Sequence, residues 1–136
     1  MSVSTAVETA LYTQLTGGTA LIAALGGTAI YALQAPDGSL PPFVVFTPVA
    51  GQPDNDTPSD MRSVLYQVRC YSGSKATAAS LDALVSARLH RQTLSVTGYT
   101  NFWTVRESDS PALVENLPNN VKTYSYGGYY RIRLDN

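Results

Sequence analysis

Hydrophobic positions change their spacing several times along the chain, and each change marks a predicted element. Val3, Val7, Ala10, Leu11 and Leu15 follow the i, i+4, i+7, i+8 spacing of one buried helical face. Thr5 and Glu8 have capping-box spacing, with Ser4 as a competing cap. Gly17-Gly18 ends the helix, because glycine reaches the left-handed conformation a helix C-terminus favours. A short second helix is expected over residues 20–25, between the cap candidate Thr19 and the stop Gly26-Gly27. The N-terminus therefore reads as a helical hairpin.

Extended structure follows. Residues 28–33 form a short strand candidate, and Pro36-Asp37-Gly38 supplies turn chemistry. Pro41-Pro42 leads into Phe43-Val44-Val45-Phe46-Thr47, which is apolar on both faces and so must be covered on both. Residues 51–60, with Pro53, Pro58, Asp54, Asp56 and Asp60, read as an exposed loop. Over residues 63–71, Val64, Tyr66, Val68 and Cys70 alternate with Leu65, Gln67, Arg69 and Tyr71, the clearest strand in the chain. Ser72-Gly73-Ser74 breaks that strand and caps a helix over 75–90, whose inner face carries Leu81, Leu84, Val85 and Leu89. Arg88 and His90 fall in its last turn, where cations are favoured. Strands are expected at 93–97 and 99–106, then a long irregular arm over 108–120 that contains Pro111 and Pro118. Residues 121–134 close the chain as a strand or hairpin, bulged at Gly127-Gly128. Strands around one long helix predict an antiparallel α+β fold, one domain over residues 1–136.

Composition narrows the function. Charged residues make up 14% of the chain against 44% hydrophobic residues, well below the roughly 25% charge usual in soluble domains. So sparse a surface is most simply buried against partners, with crowding by Thr, Ser, Asn and Gln as the other remedy. A net charge of −1 supplies no global field for nucleic acid or acidic substrates. The N-terminus lacks the basic and long apolar stretches of a signal peptide, and no run approaches the roughly 18 apolar residues that span a membrane. A cytoplasmic origin with no membrane association is the expectation.

Catalytic chemistry has few carriers. His90 is the only histidine and lies between Arg88 and Arg91, which fits a solvated helix end better than a general base. Cys70 is the only cysteine; at the inward period of a strand it reads as a small core residue rather than a reactive thiol. Asp54, Asp56 and Asp60 lack the spacing and closing glutamate of a calcium loop. No phosphate-binding glycine pattern and no nucleophile elbow occurs. No metal, no cofactor and no enzymatic activity are expected. Arg69, Arg131 and Arg133 fall in strands and would form a cationic stripe, with Tyr71 and Tyr129 near it, if those strands are neighbours. Such a stripe either contacts nucleic acid or is an exposed or intersubunit face paired with carboxylates, and the second reading is favoured.

The order of these features resembles a known family. The short amphipathic helix, Leu25-Gly26-Gly27-Thr28-Ala29-Ile30-Tyr31, Ala35-Pro36, Pro42-Phe43-Val44-Val45-Phe46 with Gly51, and Tyr66-Gln67-Val68-Arg69-Cys70-Tyr71-Ser72 before an Ala-rich helix resemble the small tail-terminator, or tail-completion, proteins of long-tailed bacteriophages. A tyrosine-rich last strand completes the pattern. The resemblance implies a mixed, mostly antiparallel sheet with helices on one face. It implies a homo-oligomeric ring, commonly a hexamer, in the virion at the head-proximal end of the tail. Such a ring caps the major tail tube protein, docks on the head–tail connector or stopper, and leaves a lumen through which DNA passes without sequence-specific binding. Candidate interface residues are then Pro53, Asp54, Asp56 and Asp60 in one loop, Leu113 and Asn119 in the other, and Arg69, Arg131 and Arg133 on the sheet. Another neck or minor tail protein, or a small ligand-binding α+β domain, are the competing readings.

Overall fold

The computed structural model describes residues 3–33, 35–36, 42–54, 61–116 and 122–135. Two helices, α1 (Val3–Thr16) and α2 (Thr19–Leu25), precede the strands β1 (Ile30–Ala32), β2 (Phe43–Asp54) and β3 (Met61–Ser72). Helix α3 (Lys75–Leu89) follows, then β4 (Thr100–Asn116) and β5 (Lys122–Asp135). The strands form one five-stranded sheet in the order β1-β2-β3-β5-β4. β1 runs parallel to β2 and every other pair is antiparallel, so the sheet is mixed and mostly antiparallel.

The helices pack on one face. Val7, Leu11 and Leu15 of α1, Leu21 and Leu25 of α2, and Leu81, Val85 and Leu89 of α3 close over Val44, Phe46, Tyr66, Val68, Tyr130 and Ile132 of the sheet. Leu84, expected on the inner face of α3, is only partly buried and packs at the margin of this core. Asp82 is buried there too. Ser74 caps α3, its hydroxyl accepting from the Thr77 amide at 3.2 Å. At the other end, Arg88 donates to the Gln14 carbonyl of α1 while the Gln14 amide donates to the Arg88 carbonyl. This reciprocal tie binds α1 to α3. Neither Gly17 nor Gly18 takes the left-handed backbone expected of it; close approach accounts for them instead, since a Cβ at either would stand 2.9 Å from the Arg88 side chain.

Several expectations are corrected. The proposed caps Thr5 and Thr19 lie within α1 and α2; Gly18 caps α2 instead. Residues 51–54 are strand, not loop: Pro53 pairs with Arg62 and Asp54 with Met61. Among the described residues no strand borders β2 on the β1 side beyond Phe46, and an edge strand accepts proline. Pro48 sits at a register shift that also absorbs its missing donor. What is left of the predicted loop, residues 55–60, lies outside the described residues, as does the turn at Asp37-Gly38. The arm over 108–120 is likewise strand as far as Asn116, which pairs with Lys122. Residues 93–97 form no strand, yet Leu94 and Val96 are buried in the core.

Gly127-Gly128 carries no bulge in β5. The irregularities lie in β4, at Asn101/Trp103, Arg106/Ser108 and Ser110/Leu113, while β5 stays in register with β3. Close approach explains both glycines: a Cβ at 127 would overlap the Val68 carbonyl oxygen, and one at 128 would lie 2.6 Å from the Arg106 guanidinium.

Candidate assembly surface

The sheet face turned away from the helices is built by the alternate residues of each strand. Phe43 and Val45 of β2 adjoin Tyr71 and Arg69 of β3, which adjoin Ser125 and Gly127 of β5. Further along, Leu65 faces Arg131, and Ser63 faces Arg133. Arg69, Arg131 and Arg133 thus share one face with Tyr71 and Tyr129, as the sequence anticipates if those strands are neighbours.

The stripe is not an open cationic groove. Arg69 is buried, donating to the Ser110 and Ser125 hydroxyls, and Gln67 donates to the same Ser110 oxygen at 2.8 Å. Arg131 grips Glu107 of β4 through two hydrogen bonds of 2.7 and 3.2 Å, which hold the Glu107 carboxyl below its usual range. Arg133 lies between Ser63 of β3 and Trp103 of β4. The apolar end of this face covers itself: Phe43 stacks on Tyr71 with ring centroids 4.9 Å apart and meets Tyr31 edge-on at 6.3 Å. That cover is why the two-faced run Phe43-Val44-Val45-Phe46 is buried throughout.

On the helix side, polar groups converge around Arg106. Its guanidinium donates to Asp82 of α3 at 2.8 Å, to Asp109 at 2.9 Å, to the Tyr130 hydroxyl at 3.1 Å and to the Gly127 carbonyl at 3.0 Å. Burial pulls the Arg106 pKa down, but the bonds to Asp82 and Tyr130 outweigh it and raise it. Burial pushes the Tyr130 phenol up. His90 is not a merely solvated residue: its Nδ1 accepts the Arg106 amide proton at 3.0 Å. These groups serve one another, and so the cluster ties α3 to β4 and β5. Asn101 ties the segment after α3 to β4 and β5 at the first irregularity of β4, accepting from the Leu94 amide and donating to the carbonyls of Trp103 and Arg133.

The sequence-derived interface residues do not gather into one patch. Pro53 and Asp54 stand at one end of the sheet, level with Met61, Asp135 and Thr100. Leu113 lies toward the other end, level with Ser125, and the three arginines run between. Asp56, Asp60 and Asn119 fall outside the described residues. Sequence reasoning missed the exposed apolar side chains. Among the described residues these include Tyr12, Leu33, Val49, Trp103 and Val114 besides Leu113. Tyr12 follows Leu11 on α1, off the buried stripe, a signal readable from the helical period alone. Asp82 was readable too, as a carboxylate inside the stripe Leu81, Val85, Leu89.

Side-chain clusters whose members satisfy one another thus stand beside single apolar side chains exposed at the surface. Comparison with known proteins identifies the family. The family model of tail completion protein gp17 matches residues 9–121, and the chain belongs to that family, whose members are structural proteins of the phage tail. No curated protein matches the sequence. Among solved structures, a chain described as the virion of a native gene transfer agent (GTA) particle shares the fold with a TM-score of 0.79 and 21% identity. That match covers 99% of this chain and 98% of the other. A second solved chain, without a functional description, matches with a TM-score of 0.58 and 13% identity over 98% of this chain and 96% of its own.

Proposed function

We propose that this protein completes the phage tail by forming a closed ring, a hexamer, on the head-proximal end of the tail tube. The ring stops addition of the major tail tube protein and offers the docking surface for the head–tail connector or stopper. The observation that carries the reading is the family match over residues 9–121. The sheet adds a physical reason: its two lateral edges, β1 and β4, differ in length and composition, as a head-to-tail ring requires of its subunit. An uncapped tube presents the surface on which the next tube ring adds, whereas a ring that matches the tube below and differs above ends the stack. DNA passes through the lumen without sequence-specific contact, which agrees with Arg69 being buried and Arg131 being paired to Glu107.

Deletion of the gene tests this. Heads should fill normally, while tails should be over-long or unattached in micrographs of the lysate. Tails of normal length joined to filled heads refute the proposal.

A further inference from the structure

We infer that the sheet is closed to strand addition along residues 47–54 of β2 and 104–111 of β4, by prolines on the first stretch and by the turn after α3 on the second. The free chain is thereby kept from joining further strands, whether of its own copies or of other proteins, into a continued sheet. This goes beyond the ring reading and stands without it.

A strand in an antiparallel sheet turns its N–H and C=O groups to one neighbour and then the other, residue by residue, so an edge strand leaves every second residue open. The Val44 amide donates to the Ala29 carbonyl at 2.9 Å, so Val44 turns toward β1 and its partner Cys70 turns toward β5. β3 stays in register with β5 throughout, and this alternation therefore runs unbroken along it. The β2 residues opposite its even-numbered positions face away from it: Phe46, Pro48, Gly51 and Pro53. Among the described residues no strand lies beside the last three, and Pro48 and Val49 are exposed. Proline has no N–H to give, so of these three ladder positions only Gly51 keeps a donor. The register shift between Pro48 and Ala50 adds a local twist that carries the edge away from a flat partner.

The same alternation, carried through β5, turns Thr104 and Arg106 of β4 to the open side, opposite Ile132 and Tyr130. Both are taken. The Thr104 carbonyl accepts the Arg91 amide at 2.7 Å, and the Arg106 amide donates to His90 Nδ1 at 3.0 Å. The turn after α3 thus stands where a further strand would have to pair. Pro111 lies in the last register shift of β4, between Ser110 and Leu113.

Backbone strain is the independent observation. Among the described residues two besides glycine hold a left-handed backbone, Leu33 at φ 68° and Arg91 at φ 59°. Each donates its amide to a sideways-facing carbonyl on one side of the sheet: Leu33 to Phe46 at 2.9 Å, where β1 ends, and Arg91 to Thr104. Side chains disfavour this conformation, and it persists where the surrounding structure holds it to a use. The shared use here is to cover an acceptor that a new strand would otherwise bind.

Variants that reopen each edge test this. Pro48→Thr/Pro53→Thr restores two donors on β2, and His90→Ala frees the Arg106 amide on β4. Thioflavin fluorescence and light scattering should show open-ended, sheet-rich assemblies growing severalfold faster from either variant than from the wild type. All proteins are compared at the same interval below their Tm, so Leu81→Ala, which weakens the core and alters no edge residue, should behave as the wild type. Edge variants that fold and assemble no faster than the wild type, or a Leu81→Ala protein that assembles as fast as they do, would overturn the inference. Hydrogen exchange of the wild-type chain tests it even where an edge variant does not fold. The Gly51 amide should exchange freely while those of Ala50 and Gln52, turned to β3, are protected, as should be those of Arg91 and Arg106. A Gly51 amide as protected as that of Gln52, or free exchange at Arg91 and Arg106, would overturn the inference as well.

Discussion

Replacing Asp82 by alanine removes the carboxylate that faces Arg106 across the junction of α3 and β4. Both partners are largely buried, with side chains 9% and 13% exposed and 2.8 Å between them. Breaking a buried pair by removing one member costs about 3–5 kcal/mol, because the remaining charge is stranded out of water. Here Arg106 keeps Asp109 at 2.9 Å, a carboxylate that is 69% exposed and therefore a weaker counter-charge. It also keeps the Tyr130 hydroxyl and the Gly127 carbonyl as acceptors. The loss should then fall at the low end, about 3 kcal/mol. Unfolding entropy of about 2.1 cal/mol/K per residue converts that loss to a fall of roughly 10 °C in Tm for a chain of this length. Urea denaturation followed by circular dichroism gives the free energy, and a thermal scan gives the Tm. Removing both charges, as Asp82→Leu with Arg106→Met, should cost less than Asp82→Ala alone, since no charge is left behind. A loss below about 1 kcal/mol for Asp82→Ala, or a double variant as unstable as the two single losses added together, would show that the pair does not hold α3 to the sheet.

Three further outcomes follow from the packing. Gly127→Ala should destabilise by at least the roughly 1–3 kcal/mol of an overpacked core, because the new methyl meets backbone at Val68 and Arg69 that cannot rotate away; thermal unfolding reads this, and an unchanged Tm contradicts it. Leu81→Ala should cost about 2–5 kcal/mol and Leu84→Ala clearly less, since Leu81 is 1% exposed while Leu84 sits at the core margin; equal losses in urea titrations would place the helix differently. Cys70 and Tyr130 are acids whose folded pKa values are raised by burial, so the stability they supply is complete below their unfolded pKa values and is lost as pH rises above them. Stability should therefore decline from about pH 8.5 upward, and Cys70→Ala should remove the first part of that decline; a flat profile to pH 10 in both proteins contradicts it.

Much of this fold is written in local pattern. The alternation over residues 63–71 fixes β3 and its inward face, and the 3.6-residue spacing of Leu81, Val85 and Leu89 with Ser74 ahead of them fixes α3. Where prolines and aspartates dominate, local composition misleads. Residues 51–54 and 108–116 look like loops because Pro53, Pro111 and the polar residues weigh against a strand, yet long-range pairing with β3 and β5 overrides that preference. No local signal reveals that β2 loses its β1 neighbour after Phe46, which is what makes Pro48 and Pro53 tolerable. Gly127-Gly128 shows the same limit: the glycines are visible in the sequence, but their cause is a neighbouring strand and Arg106. The surface was less legible than the core. Burial leaves a periodicity, whereas exposed apolar side chains such as Leu33 and Val114 leave none.

Electron cryomicroscopy of the head–tail junction in intact particles tests most directly whether this protein completes the tail. The map should show copies of this five-stranded α+β fold in one closed ring between the last tube ring and the connector. A ring of another protein at that position, or this fold found only elsewhere in the particle, would contradict it.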